Sequence, residues 1–453
     1  MKKNHFLLWL WIGCFVWMAG CATTPPKPPE WKPLDIGVLS EPLTLEKSLE
    51  LVQSADVPAA AWRARLRAAQ AELRLAKSIP NPSFNPSWDD LGLRDSGGVH
   101  LSNLTYGISF PIFFWWPQAK KIAAAEANRM VEEASIRSDQ RQLSLDIGAA
   151  YFNLVADQRK IAILENLVGI TRENMRLVQK MRQLQSASDF DVARTQSDLL
   201  SAESELHDAQ NQLRRDQLAF AFALGTDRPF YPKVADCGDQ YLHLWTDPSL
   251  GKSIPDDRLA SALQSDPDLA KAKATTKVAE ADWQVEKRSA FPLADLMGNA
   301  GPKDAPEGLG AAAGLDIPIP IFNQNQAGIA KAEAALLAAQ TDQEKTRRVA
   351  IAKLSTAWEE YQAAVEKWDR YSRRILEFER KNQAAAQKFF EAGQISYLES
   401  LQARNQYQKA LLNEVDTWKE VSTAAWDLSC LLGQRGQTER KSQERSLGRE
   451  IPQ

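Results

Sequence analysis

The chain has 453 residues with 55 basic and 58 acidic side chains, a formal net charge of −3. That balance argues against a nucleic-acid binder, which normally carries a basic excess. Ala-, Gln-, Leu-, Glu- and Arg-rich stretches dominate, the composition of long helices and coiled coils. After the N-terminus no run of about 18 apolar residues occurs, so any membrane crossing would have to be made by a barrel.

Lys2 and Lys3 precede an apolar stretch from Phe6 to Met18, the layout of a signal peptide over residues 1–20. The segment closes Met18-Ala19-Gly20-Cys21, which resembles a lipobox and marks Cys21 as the expected site of lipid attachment. The alternative is an ordinary signal peptide in which Cys21 is incidental. Ala22 rather than an acid follows the cysteine, which implies sorting to the outer membrane. Residues 21–42 include Pro25-Pro-Lys-Pro-Pro29, a tether too stiff and polar to pack. Of four cysteines, Cys14 leaves with the signal and Cys21 takes lipid, so Cys237 and Cys430 remain.

The body of the chain is a duplication. Gly107-Ile-Ser-Phe-Pro-Ile-Phe113 aligns with Gly314-Leu-Asp-Ile-Pro-Ile-Pro320 at a shift of 207, and Ala150-Tyr151 aligns with Ala357-Trp358. Farther on, Leu224-Gly225 matches Leu432-Gly433 at 208. The expected units are a first repeat over 43–225, a connector over 226–253, a second repeat over 254–433 and a disordered polar tail over 434–453.

In the first repeat Ile147, Leu154, Ile161, Val168 and Met175 recur every seven residues. After a reversal Val192, Leu199, Leu206, Leu213 and Phe220 do the same, with Ala202, Ala209 and Ala223 beside them. A sustained seven-residue repeat predicts supercoiled helices, and the alanines admit close neighbours. Gln118 to about Gln185 would span roughly 100 Å at 1.5 Å per residue. The second repeat predicts its long helix over Asn325–Ala392 and a return seam at Leu411, Trp418, Ala425 and Leu432. A cytoskeletal or adaptor coiled coil fits these helices equally well.

The segments between the helices change period. Leu104, Tyr106, Ile108 and Phe110 alternate with small or polar residues, as do Leu309, Ala311, Ala313, Leu315, Ile317 and Ile319. Period two predicts strands with one apolar face. Weaker partner strands are expected near Ser83–Trp88 and near Phe291–Gly298. Such strands suit a transmembrane barrel, although two small soluble hairpins remain open as an alternative. Four strands cannot close a barrel, whereas three chains would supply twelve. Gly308-Leu-Gly-Ala-Ala-Ala-Gly314 has a faint likeness to a dinucleotide loop, but strand is the stronger reading. The four histidines lie at 5, 100, 207 and 243, without metal-ligand spacing. Neither an enzyme, a cofactor nor a metal site is expected.

Gly314-Leu-Asp-Ile-Pro-Ile-Pro-Ile-Phe-Asn-Gln-Asn-Gln-Ala-Gly328 resembles the strand-to-helix corner of TolC-family outer-membrane efflux channels, in the branch serving heavy-metal and related cation efflux. Phe390-Glu-Ala-Gly-Gln-Ile-Ser-Tyr-Leu-Glu-Ser-Leu-Gln-Ala-Arg404 is similar to the family's periplasmic helix reversal. The resemblance covers about Leu43 to Gly433. It implies a mainly α chain with a small β part, and a homotrimer with a twelve-stranded barrel in outer-membrane lipid above a helical tunnel. It also implies two partners, a periplasmic adaptor (a membrane fusion protein) and an inner-membrane transporter of the RND type. Nucleic acid is not among the expected partners. Type I protein secretion shares the fold with different cargo, and a poreless periplasmic coiled-coil adaptor is a second alternative.

Matched onto the family's motifs, Asp191 and Glu399 fall where acidic side chains narrow the periplasmic aperture. Read without the resemblance, they are solvated acids near helix starts. Ser186, Ser188, Gly393, Ile395 and Ser396 fall at the tips that would meet the adaptor. Ser186 stands where the family carries glycine, a departure, and the strands around Phe291–Gly301 look short enough to lower the barrel's outer rim. The family's equatorial belt would bring Cys237 and Cys430 near one another, either as a disulfide or as two separate buried thiols.

Overall fold

The computed structural model describes residues 41–54, 56–88, 104–112, 114–239, 254–291, 293–303 and 308–433. Residues 1–40, with Cys21 and most of its tether, and the tail over 434–453 lie outside the described residues. The first repeat runs α1 (Leu45–Ser54), α2 (Asp56–Lys77), β1 (Ser83–Trp88), β2 (Leu104–Ile112), α3 (Trp115–Gln183) and α4 (Asp189–Ala223). The second runs α5 (Asp256–Ser265), α6 (Pro267–Ser289), β3 (Ala294–Lys303), β4 (Gly308–Asp316) and α7 (Gln326–Asp369). A π-helical turn (Arg370–Ile375), α8 (Leu376–Glu391) and α9 (Tyr397–Leu431) complete it.

The helices form layers around the long α3. Near the sheet α3 packs on α2 and α6, and α6 packs on α7; toward the reversals α3 packs on α4 and α9. The seam expected from the seven-residue repeat is buried at Ile147, Leu154 and Val168 in α3 and at Trp418 and Ala425 in α9. Close approach is clearest at Gly148. A Cβ added there would overlap Nε1 of Trp426, whose indole donates a 3.0 Å hydrogen bond to the Ser144 carbonyl.

One four-stranded antiparallel sheet takes the order β1-β2-β3-β4. Both hairpins therefore join a single sheet across the repeat boundary, and among the described residues β1 and β4 are its edge strands. β3 runs ten residues through Gly298, Gly301 and Pro302, which corrects the expectation of a short strand there. The glycine that looked like an interruption is a packing requirement, since a Cβ on Gly301 would lie 2.9 Å from Oγ1 of Thr105. Gly308–Asp316 is strand β4, which ends before Ile317 and Ile319, the last residues of the alternation.

The strand-to-helix corners are tied alike in the two repeats. Gln118 of α3 donates to the carbonyls of Ala76 and Ser78, at 3.4 and 3.2 Å. Its counterpart Asn325, at the head of α7, donates to the carbonyl and carboxylate of Glu286, at 3.0 and 2.6 Å. Asn325 holds a left-handed backbone (φ 59°), a conformation asparagine tolerates better than most residues. A Cβ on Gly328 would overlap Oδ1 of Asn325, so the Asn-Gln-Ala-Gly corner is a packed unit.

Candidate channel walls, belt and mouth

The strand register separates two chemically different faces. Phe84, Ile108, Gly298 and Ala313 form one cross-strand row, Phe110, Leu296 and Leu315 a second, and Pro86, Tyr106, Ala300 and Ala311 a third. Phe84 stacks on Tyr106 with ring centroids 6.2 Å apart, yet Ile108 is 57% exposed and Leu296 and Leu315 are similarly open. The other face carries Ser83, Asn85, Ser109, Asn299, Gly314 and the opposed pair Asp295 and Asp316. On it Ser83 and Ser109 share a 2.6 Å hydrogen bond and Asn85 donates to Ser109 at 3.1 Å. An exposed apolar face backed by a polar one is what separates lipid from water.

Midway along the helices the described start of the connector, residues 226–239, is clamped to the core. Val234 forms a parallel bridge with Leu43, while Tyr151 donates to the Ala235 carbonyl at 2.6 Å and Gln217 to the Pro232 carbonyl at 3.0 Å. Arg159 grips Asp236 through two hydrogen bonds, at 2.9 and 2.5 Å, and its guanidinium lies 3.9 Å over the Trp418 ring. Trp418, fully buried, donates at 3.1 Å to the Gly238 carbonyl. The Arg159 guanidinium holds the Asp236 carboxyl below the usual carboxylate range. The sequence singles out Tyr151 and Trp418 but not the pairing of Arg159 with Asp236, because contacts between residues so far apart leave no local pattern.

Cys430 is buried in the same core and Cys237 packs against it, but no disulfide joins them. Burial pushes the Cys237 thiol up to about 11, so at neutral pH it is protonated and unreactive.

The two helix reversals are built alike, 208 residues apart. Leu184, Gln185 and Ser186 donate backbone bonds to Lys180, Arg182 and Met181; Ala392, Gly393 and Gln394 donate to Lys388, Phe390 and Phe389. The left-handed residues are Gln185 (φ 56°) and Gly393 (φ 72°). Gln185, not Ser186, therefore occupies the place of Gly393, which corrects the expected departure by one residue. Ser186 is exposed one position later, matched with Gln394, and Ile395 is half-buried.

Each return helix then opens with a reciprocal cap. Ser188 accepts from the Asp191 N–H at 3.2 Å while its own N–H donates to Asp191 Oδ2 at 2.9 Å. Ser396 accepts from the Glu399 N–H at 3.3 Å and its N–H donates to Glu399 Oε2 at 2.8 Å. Two orphan donors are satisfied at each helix start. The Ser188 hydroxyl, then its N–H, holds the Asp191 carboxyl below the usual range. For Glu399 the Ser396 N–H acts first and the hydroxyl second, in the same direction. The structure thus assigns Asp191 and Glu399 a capping role, with one oxygen of each carboxylate engaged and the negative charge favoured.

Among the described residues no helix is long and apolar enough to cross a membrane, and no group of His, Cys, Asp or Glu is arranged to hold a metal ion.

Comparison with known proteins agrees with this layout. The chain is 22% identical over 395 residues to the cobalt-zinc-cadmium resistance protein CzcC of Cupriavidus metallidurans, covering 86% of this chain and 90% of that one. It is 24% identical over 326 residues to the nickel and cobalt resistance protein CnrC of the same organism, covering 70% and 73%. The solved CusC structure superposes with a TM-score of 0.72 at 17% identity, over 90% of this chain and 98% of that one. The Campylobacter jejuni CmeC outer membrane channel superposes with 0.70 at 15% identity, over 95% and 98%. The family model described as outer membrane efflux protein matches residues 48–226 and 259–434, one span for each repeat. With both halves matched, the chain belongs to the outer membrane efflux protein family.

Proposed function

We propose that this chain is the outer-membrane exit duct of a tripartite efflux system, a passive channel for cargo that an inner-membrane RND-type transporter drives through a periplasmic adaptor. The observation that carries the reading is the sheet with one exposed apolar face, one polar face and two edge strands. An open edge is not tolerated in hydrocarbon, where each unpaired backbone group costs several kcal/mol. Three copies joined β4 to β1 remove every edge and give twelve strands, with the apolar rows toward lipid and the Ser, Asn and Asp rows toward water.

Lipid at Cys21 adds an anchor to each protomer. The adaptor meets the reversals at Ser186, Ser188, Gly393, Ile395 and Ser396. Asp191 and Glu399, each repeated three times around the axis, ring the aperture and favour cations by their summed field. Divalent metal cations are the proposed cargo class, supported by the cobalt, zinc, cadmium and nickel named for CzcC and CnrC. The repeat boundaries proposed from sequence, 43–225 and 254–433, are the units of this duct.

Light scattering of the detergent-solubilised full-length protein tests the assembly. Three chains per particle is the expected mass. A monodisperse monomer that stays folded, with its strand edges open, would overturn it.

A further inference from the structure

In the descending helices buried Ile147, Tyr151 and Leu154 match Leu354, Trp358 and Tyr361 at a shift of 207. In the return helices buried Phe220 and Leu224 match Leu428 and Leu432 at 208. The residue of difference falls in the interval that holds the π turn Arg370–Ile375, a turn that takes up one inserted residue without breaking the helix. These shifts set Asp157 of α3 on Ala364 of α7, and Asp216 of α4 on Ala424 of α9. Ala364 and Ala424 line one groove and both pack against the core, a plain contact of small residues on neighbouring helices. The first repeat fills the same place with two half-buried carboxyls in hydrogen-bonding contact. The fold itself therefore does not require acids there.

The groups around the pair are exchanged as well. In the second repeat Lys367 of α7 ties Glu420 of α9 at 2.6 Å. Lys160 holds the place of Lys367 but pairs with Asp416 of α9 at 2.6 Å, and Gln212 holds the place of Glu420. Gln212 donates from Nε2 to both oxygens of Asp216, at 3.0 Å each, while Arg215 donates to its Oε1 at 2.6 Å. Arg215 thus turns the amide N–H groups toward Asp216 and sets that carboxylate as an acceptor. Oδ2 of Asp157 is shielded from solvent and, among the described residues, receives no N–H or O–H donor. An ionised Asp157 would be without water or a donor at that oxygen and would face a second negative charge, and both are costly. A protonated Asp157 removes both costs, because its O–H donates to Asp216. Burial, and then the Asp216 carboxyl, pushes Asp157 up to about 7, against Lys160 of its own helix and Lys419 of α9.

We propose that Asp157 and Asp216 share one proton, and that this proton is a pH-sensitive fastening of α3 to α4. With the proton in place the two helices are joined by an O–H to carboxylate bond. As pH rises the proton passes from Asp157 to solvent, the bond is lost and two like charges face each other across the helix pair. A carboxyl raised on folding stabilises fully below its unfolded value, about 4, and that contribution is lost as pH rises through about 7. The second repeat meets the same place with Ala364 against Ala424, which carry no titrating group. The sensitivity therefore belongs to one helix pair of the duplication and stands apart from the cargo assignment.

Hydrogen exchange on the full-length protein in detergent tests the fastening, with rates corrected for the intrinsic effect of pH on amide exchange. Amides of α3 and α4 near Asp157 and Asp216 should lose at least about tenfold protection between about pH 5 and pH 8. Asp157→Asn keeps an N–H donor toward Asp216 and removes the titration, so its protection should be equal at the two pH values. Asp157→Ala with Asp216→Ala recreates the contact of the second repeat and should be equally flat, which keeps the test open if the asparagine variant fails to fold. Both variants retain Asp427, so a difference from wild type reports on this pair. Wild-type protection that does not change with pH overturns the proposal. A loss in either folded variant as large as that of wild type also overturns it, since the titrating group would then lie elsewhere.

Discussion

Gln185 and Gly393 hold the same place in the two reversals, each in left-handed backbone at φ 56° and 72°, and only one of them is a glycine. A residue with a Cβ carries a cost of roughly 1–2 kcal/mol in that conformation, part of which glycine gives back in backbone entropy. Gln185→Gly should therefore stabilise the first reversal by about 0.5–1 kcal/mol, and Gly393→Ala should destabilise the second by about 1 kcal/mol. Thermal unfolding of the two single variants should move in opposite directions. Shifts of the same sign would mean that the two reversals are not equivalent.

The caps make Asp191 and Glu399 separable into structure and charge. Asn and Gln keep an oxygen that accepts from the serine N–H, so Asp191→Asn with Glu399→Gln should leave the helices intact while removing the charge. Both carboxyls are held low, so the capping contribution is full above the ordinary carboxylate range and fades as pH falls through the depressed values. Reversal potentials across a salt gradient should show reduced cation preference in the double variant. Unchanged cation preference would remove both residues from the aperture and leave them as caps alone.

Gly148 lies beneath the Trp426 indole where α3 meets α9. Gly148→Ala drives a Cβ into the ring nitrogen, and the ring is already fixed by its bond to Ser144. Overpacking of this kind costs about 1–3 kcal/mol. The melting temperature should fall by several degrees, and Trp426→Leu in the same chain should recover part of the loss. No recovery would place the damage elsewhere.

Asp427 of α9 and Glu360 of α7 line one groove of about 700 Å³. Burial, and then the Glu360 charge, pushes the Asp427 carboxyl up to about 6. A carboxyl raised on folding stabilises fully below its unfolded value, about 4, and that contribution is lost as pH rises through about 6. Asp427→Asn should therefore flatten the stability profile between about pH 4 and 6 and raise stability at pH 7 by on the order of 1 kcal/mol, after allowance for solvent screening. A profile identical to wild type would show that Asp427 does not titrate in this window.

What can be read from the chain alone follows from which signals are periodic. Seven-residue seams at Ile147 and Trp418 and the two-residue alternation at Tyr106–Phe110 are local, so the helices, the strands and the duplication are legible. The clamp of Arg159 on Asp236 joins residues 77 positions apart and has no such signature. Sequence matching sets Ser186 in the place of the family's glycine, one residue past the left-handed Gln185, because glutamine carries no mark of that conformation. Cys237 and Cys430 share a core without a disulfide between them, whose atoms must also meet a narrow geometry. The π turn leaves a trace, the change of shift from 207 to 208, but a difference of one residue does not say where along the descending helix it is stored.

The central claim is that the sheet's two faces separate lipid from a water-filled lumen. Single-channel recording of the purified full-length protein in a planar bilayer tests it most directly. Discrete, uniform conductance steps with cation preference are the predicted result. A folded, membrane-inserted protein that passes no ions over long recordings, including after the aperture charge is removed by Asp191→Asn with Glu399→Gln, would contradict it.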